Sequence, residues 1–399
     1  MSASIHDEPG EGPGFGIVLS LAIACGVIVA NIYYAQPLIG PISETFHLDI
    51  SVSGLIVTMI QFGYVLGLIF LAPLGDLIEN KALILTTTAA VIVSLAISFF
   101  ASNAPTFIAA SLLLGLTATA TQMLIPVAAH LAPEHKRGQI IGTVMSGLLF
   151  GILLARPIST LIAGVFGWRA VYGFSAVAML GVLAMLSLTL PRRKPVHEMN
   201  YVELIRSLWN LLLTTPPLQR RTAYHAMIFG AFSLFWTAIP LILQESPFSL
   251  GHIALSLFLL SGAAGAFIAP VAGRLADKGY GDALTFGAIA LVTIGFVLVW
   301  IGGHSLWLLV LAGIILDAGV QMNMLVGQRT IYSLGAHIRS RVNAIYLALF
   351  FVGGGIGSAL SGYAVSHGGH VSVALIGLCF PAITLILFGM ELSKRRSQA

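Results

Sequence analysis

Two formal charges interrupt the apolar runs of this sequence, Arg156 in the stretch Ala155-Arg156-Pro157 and Asp317 in the stretch Leu316-Asp317-Ala318. Either one is costly in hydrocarbon unless paired or hydrated, so an ionisable residue at that depth is a functional hypothesis by default. Asp317 stands about 11 residues into its run, roughly 16 Å of helical rise and close to a bilayer midplane. Arg156 stands about 16 residues into its own run, so the two depths overlap and the side chains are expected to meet. Burial disfavours the charged carboxylate and a nearby guanidinium favours it, so protonation can switch such a pair on and off. Arginine keeps its charge throughout. The predicted chemistry is proton binding at Asp317, with Arg156 as counter-charge or as the anchor of an anionic solute group. A static ion pair is the plain alternative.

A neutral polar set accompanies them: Asn31, Gln36, Gln61, Gln122, Gln321, Asn323 and Gln328. An amide both donates and accepts, so it can orient a solute; the alternative is interhelical bonding worth about 0.6 kcal/mol each. Tyr33, Tyr34, Phe235 and Trp236 flank Pro37 and Pro240 and would give a pocket apolar faces with polar tips, unless they face lipid. Each proline frees a carbonyl and can bend its helix, which suits gating. No histidine spacing resembles a metal site; His197 and His337 are among those placed at span ends, and His225 alone is kept as a proton-relay candidate.

These groups need a lipid-embedded scaffold. The 399 residues are 57% hydrophobic and 9% charged, against about 25% charged in soluble domains, and the mean hydropathy is +0.96. Apolar runs long enough to cross a bilayer are read at 17–42, 52–72, 82–101, 106–129, 140–166, 170–190, 226–243, 253–272, 284–301, 306–332, 342–365 and 371–392. Lipid offers backbone groups no partner, so these must be helices; they are too continuously apolar for barrel strands. With the N-terminus placed inside, only Arg169 of the 19 Lys and Arg residues falls outside, while Arg156 lies within a span. That asymmetry predicts cytoplasmic N- and C-termini and explains the basic pI without nucleic acid. Cys25 and Cys379 sit in apolar runs and imply no disulfide framework.

The chain also repeats itself. Pro37 in span 1 answers Pro240 in span 7, Gln122 in span 4 answers Gln321 in span 10, Asp76 after span 2 answers Asp277 after span 8, and Lys136-Arg137 answers Arg339 and Arg341. Four matches in one order predict two parallel six-helix halves: 15–195 and 221–399, after a disordered cytoplasmic tail at 1–14 and around a linker at 196–220. In the linker Tyr201, Leu204, Ile205, Leu208, Leu211 and Leu212 recur at helical spacing, which predicts an amphipathic helix at the membrane surface, with a partner-binding segment as the alternative.

At these residues the sequence resembles the major facilitator superfamily, from the first span to the last. That family carries Gly-x-x-x-Asp-Arg-x-Gly-Arg-Arg between spans 2 and 3; here Asp76 and Lys81 match while Ala72, Leu77 and Glu79 depart, and the second copy keeps Gly273, Asp277 and Lys278. A carboxylate at a helix end can accept free N–H groups and pair with a base from a neighbouring loop, so Asp76, Lys81, Asp277, Lys278, Arg137 and Arg339 are expected to latch the cytoplasmic face. Gly147, Gly151 and Pro157 resemble the family's antiporter signature, departing from it by the inserted Arg156. Small residues four apart let helices approach closely, and this stripe is expected to lie across the interface between halves. Span 4 lacks the arginine of many drug and proton antiporters; 31–38 and the Leu-Ala-Arg of span 5 are most similar to the bacterial drug and sugar efflux branches.

The resemblance implies an all-α membrane protein, with twelve helices in two pseudo-symmetric bundles around a cavity that opens to either side in turn. It places Asn31, Tyr33, Tyr34, Gln36, Gln122, Phe235, Trp236, Gln321 and Asn323 near that cavity, on spans 1, 4, 7 and 10. The expected function is secondary transport of a small solute across a bacterial inner membrane by a monomer, with proton-coupled efflux first and symport of an anionic nutrient as the alternative. No phosphate-binding loop appears, so ATP is not the energy source within this chain. A membrane enzyme would need a nucleophile, base or metal ligands clustered at one depth, and the sequence supplies no such set, metal site or cofactor motif. A transport-dead sensor is the remaining class.

Overall fold

The computed structural model describes residues 13–194, 200–335 and 338–397. The expected tail up to residue 12, the first linker residues, His197 and His337 lie outside the described residues. Among the described residues there are helices, turns and bends but no strands. Ten helices among the described residues are long and apolar enough to cross a bilayer. The last of these, Arg339–Arg396, is two spans: non-helical dihedrals at Gly368 and Gly369, the latter at φ 56°, turn the chain back on itself. With the broken first span, Phe15–Ala30 followed by Ile39–Thr45, the total is twelve.

The polar punctuation between spans sets their ends. Gly167, at φ 82°, reverses the chain between spans 5 and 6. The Glu79 carboxylate accepts the Lys81 and Ala82 N–H groups at 3.0 and 3.1 Å, and the Asn103 side chain accepts that of Thr106 at 2.9 Å. These bonds satisfy the orphan donors of spans 3 and 4. Asp49 accepts the Ser51 N–H at 2.8 Å at the entry to span 2; bonds from Ser51 hold its carboxyl below the usual carboxylate range. The linker forms the helix Tyr201–Thr214, started by a reciprocal cap between Asn200 and Glu203 and burying Leu204 and Leu208. It touches both halves, through Tyr201 to the Phe70 carbonyl at 3.0 Å and through Ser207 to Arg341 at 3.2 Å.

Within each half, glycines set the packing. A Cβ at Gly147 or Gly151 would collide with the carbonyls of Ala22 and Gly26, and one at Gly353 or Gly357 with those of Ala226 and Gly230. Span 5 therefore lies on span 1 as span 11 lies on span 7. The Gly147/Gly151 stripe was expected across the interface between halves; it is spent inside its own half, because the missing side chains admit the neighbouring backbone.

Other faces of the same helices join the halves, and they do so on the side opposite the linker helix. Gly54 on span 2 meets Ser358 and Ser361 on span 11, and Gly362 meets the Ile50 and Ser51 carbonyls. Thr58 donates to the Gly355 carbonyl at 3.0 Å and Gln61 to Ser233 at 3.2 Å. Spans 5 and 8 make the matching seam, where Ser256 donates to the Pro157 carbonyl at 3.2 Å and Gly164 lies against His252. Pro37 and Pro240 stand in unlike secondary structure. Span 1 breaks, with turn residues before the 3-10 segment Gln36–Leu38, whereas the helix Pro216–Gln244 runs on through Pro240. Span 7 is enclosed along its length.

Candidate solute and proton site

A cavity of about 700 Å³ separates the halves and reaches the surface on the linker face, within the size of small-molecule sites. Arg156 and Asp317 both line it; Asp76, Arg193, Arg339 and Arg341 line its mouth, beside Leu204 and Leu208 of the linker helix.

Arg156 is 4% exposed. Its Nε donates to Gln36 Oε1 at 2.6 Å, which the break in span 1 makes possible by turning Gln36 toward span 5. Its guanidinium lies 5.2 Å from the ring centre of Tyr33, 5.0 Å from that of Phe232 and 4.9 Å from that of Trp236. Such cation–π contacts are worth about 2 kcal/mol when desolvated. Nη2 of Arg156 and Nε2 of Gln36 have no hydrogen-bond partner.

Asp317 accepts the Trp236 indole N–H at 2.7 Å. Gly262 and Gly265 of span 8 make room for it, since a Cβ at Gly262 would come within 2.8 Å of Oδ2; the helix there tightens to a 3-10 segment over Gly262–Ile268. The direct meeting of Asp317 with Arg156 is not made: among the described residues no ion pair within 4.0 Å joins them. Trp236 serves both instead, giving its ring face to the cation and its N–H to the carboxylate. The guanidinium stays back because Gln36 and the three rings already hold it.

Of the other expected residues, Tyr33, Gln122 and Gln321 line the cavity, and Gln122 donates to the Tyr64 hydroxyl at 3.1 Å. Asn31 does not line it. Its side chain donates to the Val27 carbonyl at 2.8 Å and accepts Ser175 at 2.6 Å, tying span 1 to span 6. Tyr34, Gln36, Phe235 and Trp236 also lie off the cavity lining; Gln36 and Trp236 stand behind it on Arg156, and Phe235 packs at 5.1 Å on Trp236 within the C-terminal half. Asn323 sits one layer back, its amide 2.9 Å from His225 Nδ1, while buried His225 lines the cavity with Nε2 unpartnered. Phe229, Phe232, Phe350 and Phe351 also line the wall; nothing in the sequence separates them from lipid-facing aromatics.

Of the expected latch residues, Asp277 pairs with Arg329 at 3.0 Å inside its own half, and Lys81 donates to the Leu190 carbonyl at 2.8 Å, capping span 6. Arg339 stands 5.7 Å over the Tyr332 ring, and Arg137 and Lys278 are exposed. These contacts close neither half on the other, and the cavity opens where a latch was expected. Among the described residues no three His, Cys, Asp or Glu side chains are placed to hold a metal ion.

The sequence profile of the Major Facilitator Superfamily matches residues 21–328. The Escherichia coli O157:H7 protein called uncharacterized transporter YgaY is 36% identical over 93% of this chain and 94% of its own. A Pasteurella multocida protein named as a probable sugar efflux transporter is 24% identical over 94% of this chain and 91% of its own. Among solved structures, the human organic anion transporter MFSD10 superposes with a TM-score of 0.70 at 15% identity, covering 95% of this chain and 100% of that one. The twelve-span, two-bundle chain therefore belongs to the Major Facilitator Superfamily and is a transporter rather than an enzyme.

Proposed function

We propose that the chain carries a small solute by alternating access, together with a proton that binds Asp317. The observation that supports this reading is the single cavity holding Asp317 and Arg156, on opposite halves, at the end of an opening sealed on the far side. In this reading the halves 15–195 and 221–399 rock about that seam as a monomer. The basic linker face is cytoplasmic, as the positive-inside rule suggests, and the bacterial relatives favour an inner membrane.

The sense of coupling follows from the solute's charge. A solute that takes over the Asp317 carboxylate displaces the proton, which gives antiport and efflux; the name of the Pasteurella multocida relative supports this sense. An anion held by Arg156 binds best when Asp317 is protonated, which gives symport, and the unpartnered Arg156 Nη2 favours this second sense. The test measures solute counterflow in proteoliposomes under varied pH gradients. Asp317→Asn is expected to exchange solute while losing proton dependence; unchanged proton dependence in that variant removes Asp317 from the role.

A further inference from the structure

Resting on Asp317 as the proton site, we infer that the solute is an organic anion with a flat apolar body, its acid group on Arg156 and its body along the Phe232–Phe229–Phe350 wall. Arg156 offers a permanent charge with a donor left over, Nη2, and no carboxylate of the described residues lies in ion-pair reach of it. A carboxylate or sulfonate is the group that fills a planar guanidinium fork.

The wall beside it suits the rest of the solute. Phe229 and Phe232 stack at 5.1 Å and Phe350 meets Phe229 edge-on at 4.4 Å, a continuous aromatic surface that starts at the ring under the cation. A cationic solute is served less well. One Asp317 oxygen is already taken by the indole N–H, which leaves a cation the other alone, beside Gly262 in the cavity wall. Of the groups packed around Asp317, span 7 brings Trp236 and span 8 brings glycines; the charge acting on it comes from Arg156 of span 5. Protonating Asp317 removes the charge that opposes an anion on Arg156, so proton and solute bind together.

Three probes of one shape separate the charge classes: naphthoate, naphthylmethanol and naphthylmethylammonium. Each is titrated into the purified full chain, with tryptophan fluorescence and the shift in thermal unfolding as readouts. Naphthoate is expected to bind about tenfold or more tighter than the other two, and tighter at about pH 6 than at about pH 8. Arg156→Gln is expected to lose that preference; Arg156→Lys, which keeps the charge without the fork, is expected to retain part of it if the glutamine variant does not fold. Binding of the ammonium probe in preference, equal binding of all three, binding of none, or an anion preference that survives Arg156→Gln overturns the inference. Asp317→Asn separates the two claims. Loss of the pH dependence with the anion preference kept supports both; pH dependence that persists removes the proton reading and leaves the anion class standing.

Discussion

The seam between spans 2 and 11 holds the far side shut, and one methyl group is enough to test it. In Gly54→Ala the added Cβ would fall on the Ser358 carbonyl oxygen and lie 2.7 Å from Ser361 Oγ. Backbone on one side and a hydroxyl already donating at 2.6 Å to Ser358 O on the other leave no flexible side chain to yield. Overpacking of this kind costs about 1–3 kcal/mol. The contact joins the halves and is absent from the packing inside either one, so the cost falls on this conformation and spares the fold. At about 1.4 kcal/mol per tenfold, the ratio of this state to its alternative drops roughly 5- to 150-fold. Spin labels on cysteines at the exposed positions Lys136 and Lys278, just beyond the linker-face ends of spans 5 and 8, read the change by electron–electron distance measurement. Gly54→Ala is expected to shorten that distance as the linker face closes. Gly142→Ala, with nothing within 4 Å of its Cβ, is expected to change nothing. An unaltered distance distribution in folded Gly54→Ala protein refutes the argument that this seam sets the state.

Asn31→Leu removes an acceptor of the Ser175 hydroxyl from a buried junction, so thermal unfolding in detergent is expected to fall by about 1 kcal/mol of stability with solute affinity unchanged. Lower affinity at unchanged stability would return Asn31 to the site. Glu391 accepts Arg220 at 2.9 Å and the Tyr224 hydroxyl at 2.5 Å, and also pairs with Arg395. Glu391→Gln is expected to cost about 2–3 kcal/mol, less than the loss of a fully buried pair because both arginines keep some solvent; recovery of part of the loss in the double variant Arg220→Met, Glu391→Gln is the check, and additive losses count against the pairing.

The scaffold was legible because lipid enforces it. Runs of apolar residues, the side on which lysine and arginine collect, and matched pairs such as Gln122 and Gln321 each follow from a constraint that acts on sequence directly. Arg156 and Asp317 were legible for the same reason, since nothing cheap explains a charge at that depth. Their separation was not, because it depends on Gln36 and three rings reaching the guanidinium first. Asn31 and Gln36 read alike as amides on one span, five residues apart. The break in the helix between them sends one to span 6 and the other to Arg156. The Gly147 stripe was read correctly as a close-packing face but given the wrong neighbour, because a glycine says that something comes near and not what.

The two bundles repeat one glycine packing scheme, yet their charges do not match. By the way Gly147 and Gly151 correspond to Gly353 and Gly357, the place of Arg156 is taken in the other copy by Gly362. By the match of Gln122 with Gln321, the place of Asp317 is taken by Ala118. A true homodimer with a twofold axis through its centre would have to set arginine opposite arginine and aspartate opposite aspartate. Tandem fusion lifts that obligation, so each copy drifts alone and one polypeptide can present a base to an acid over the axis that once forbade it.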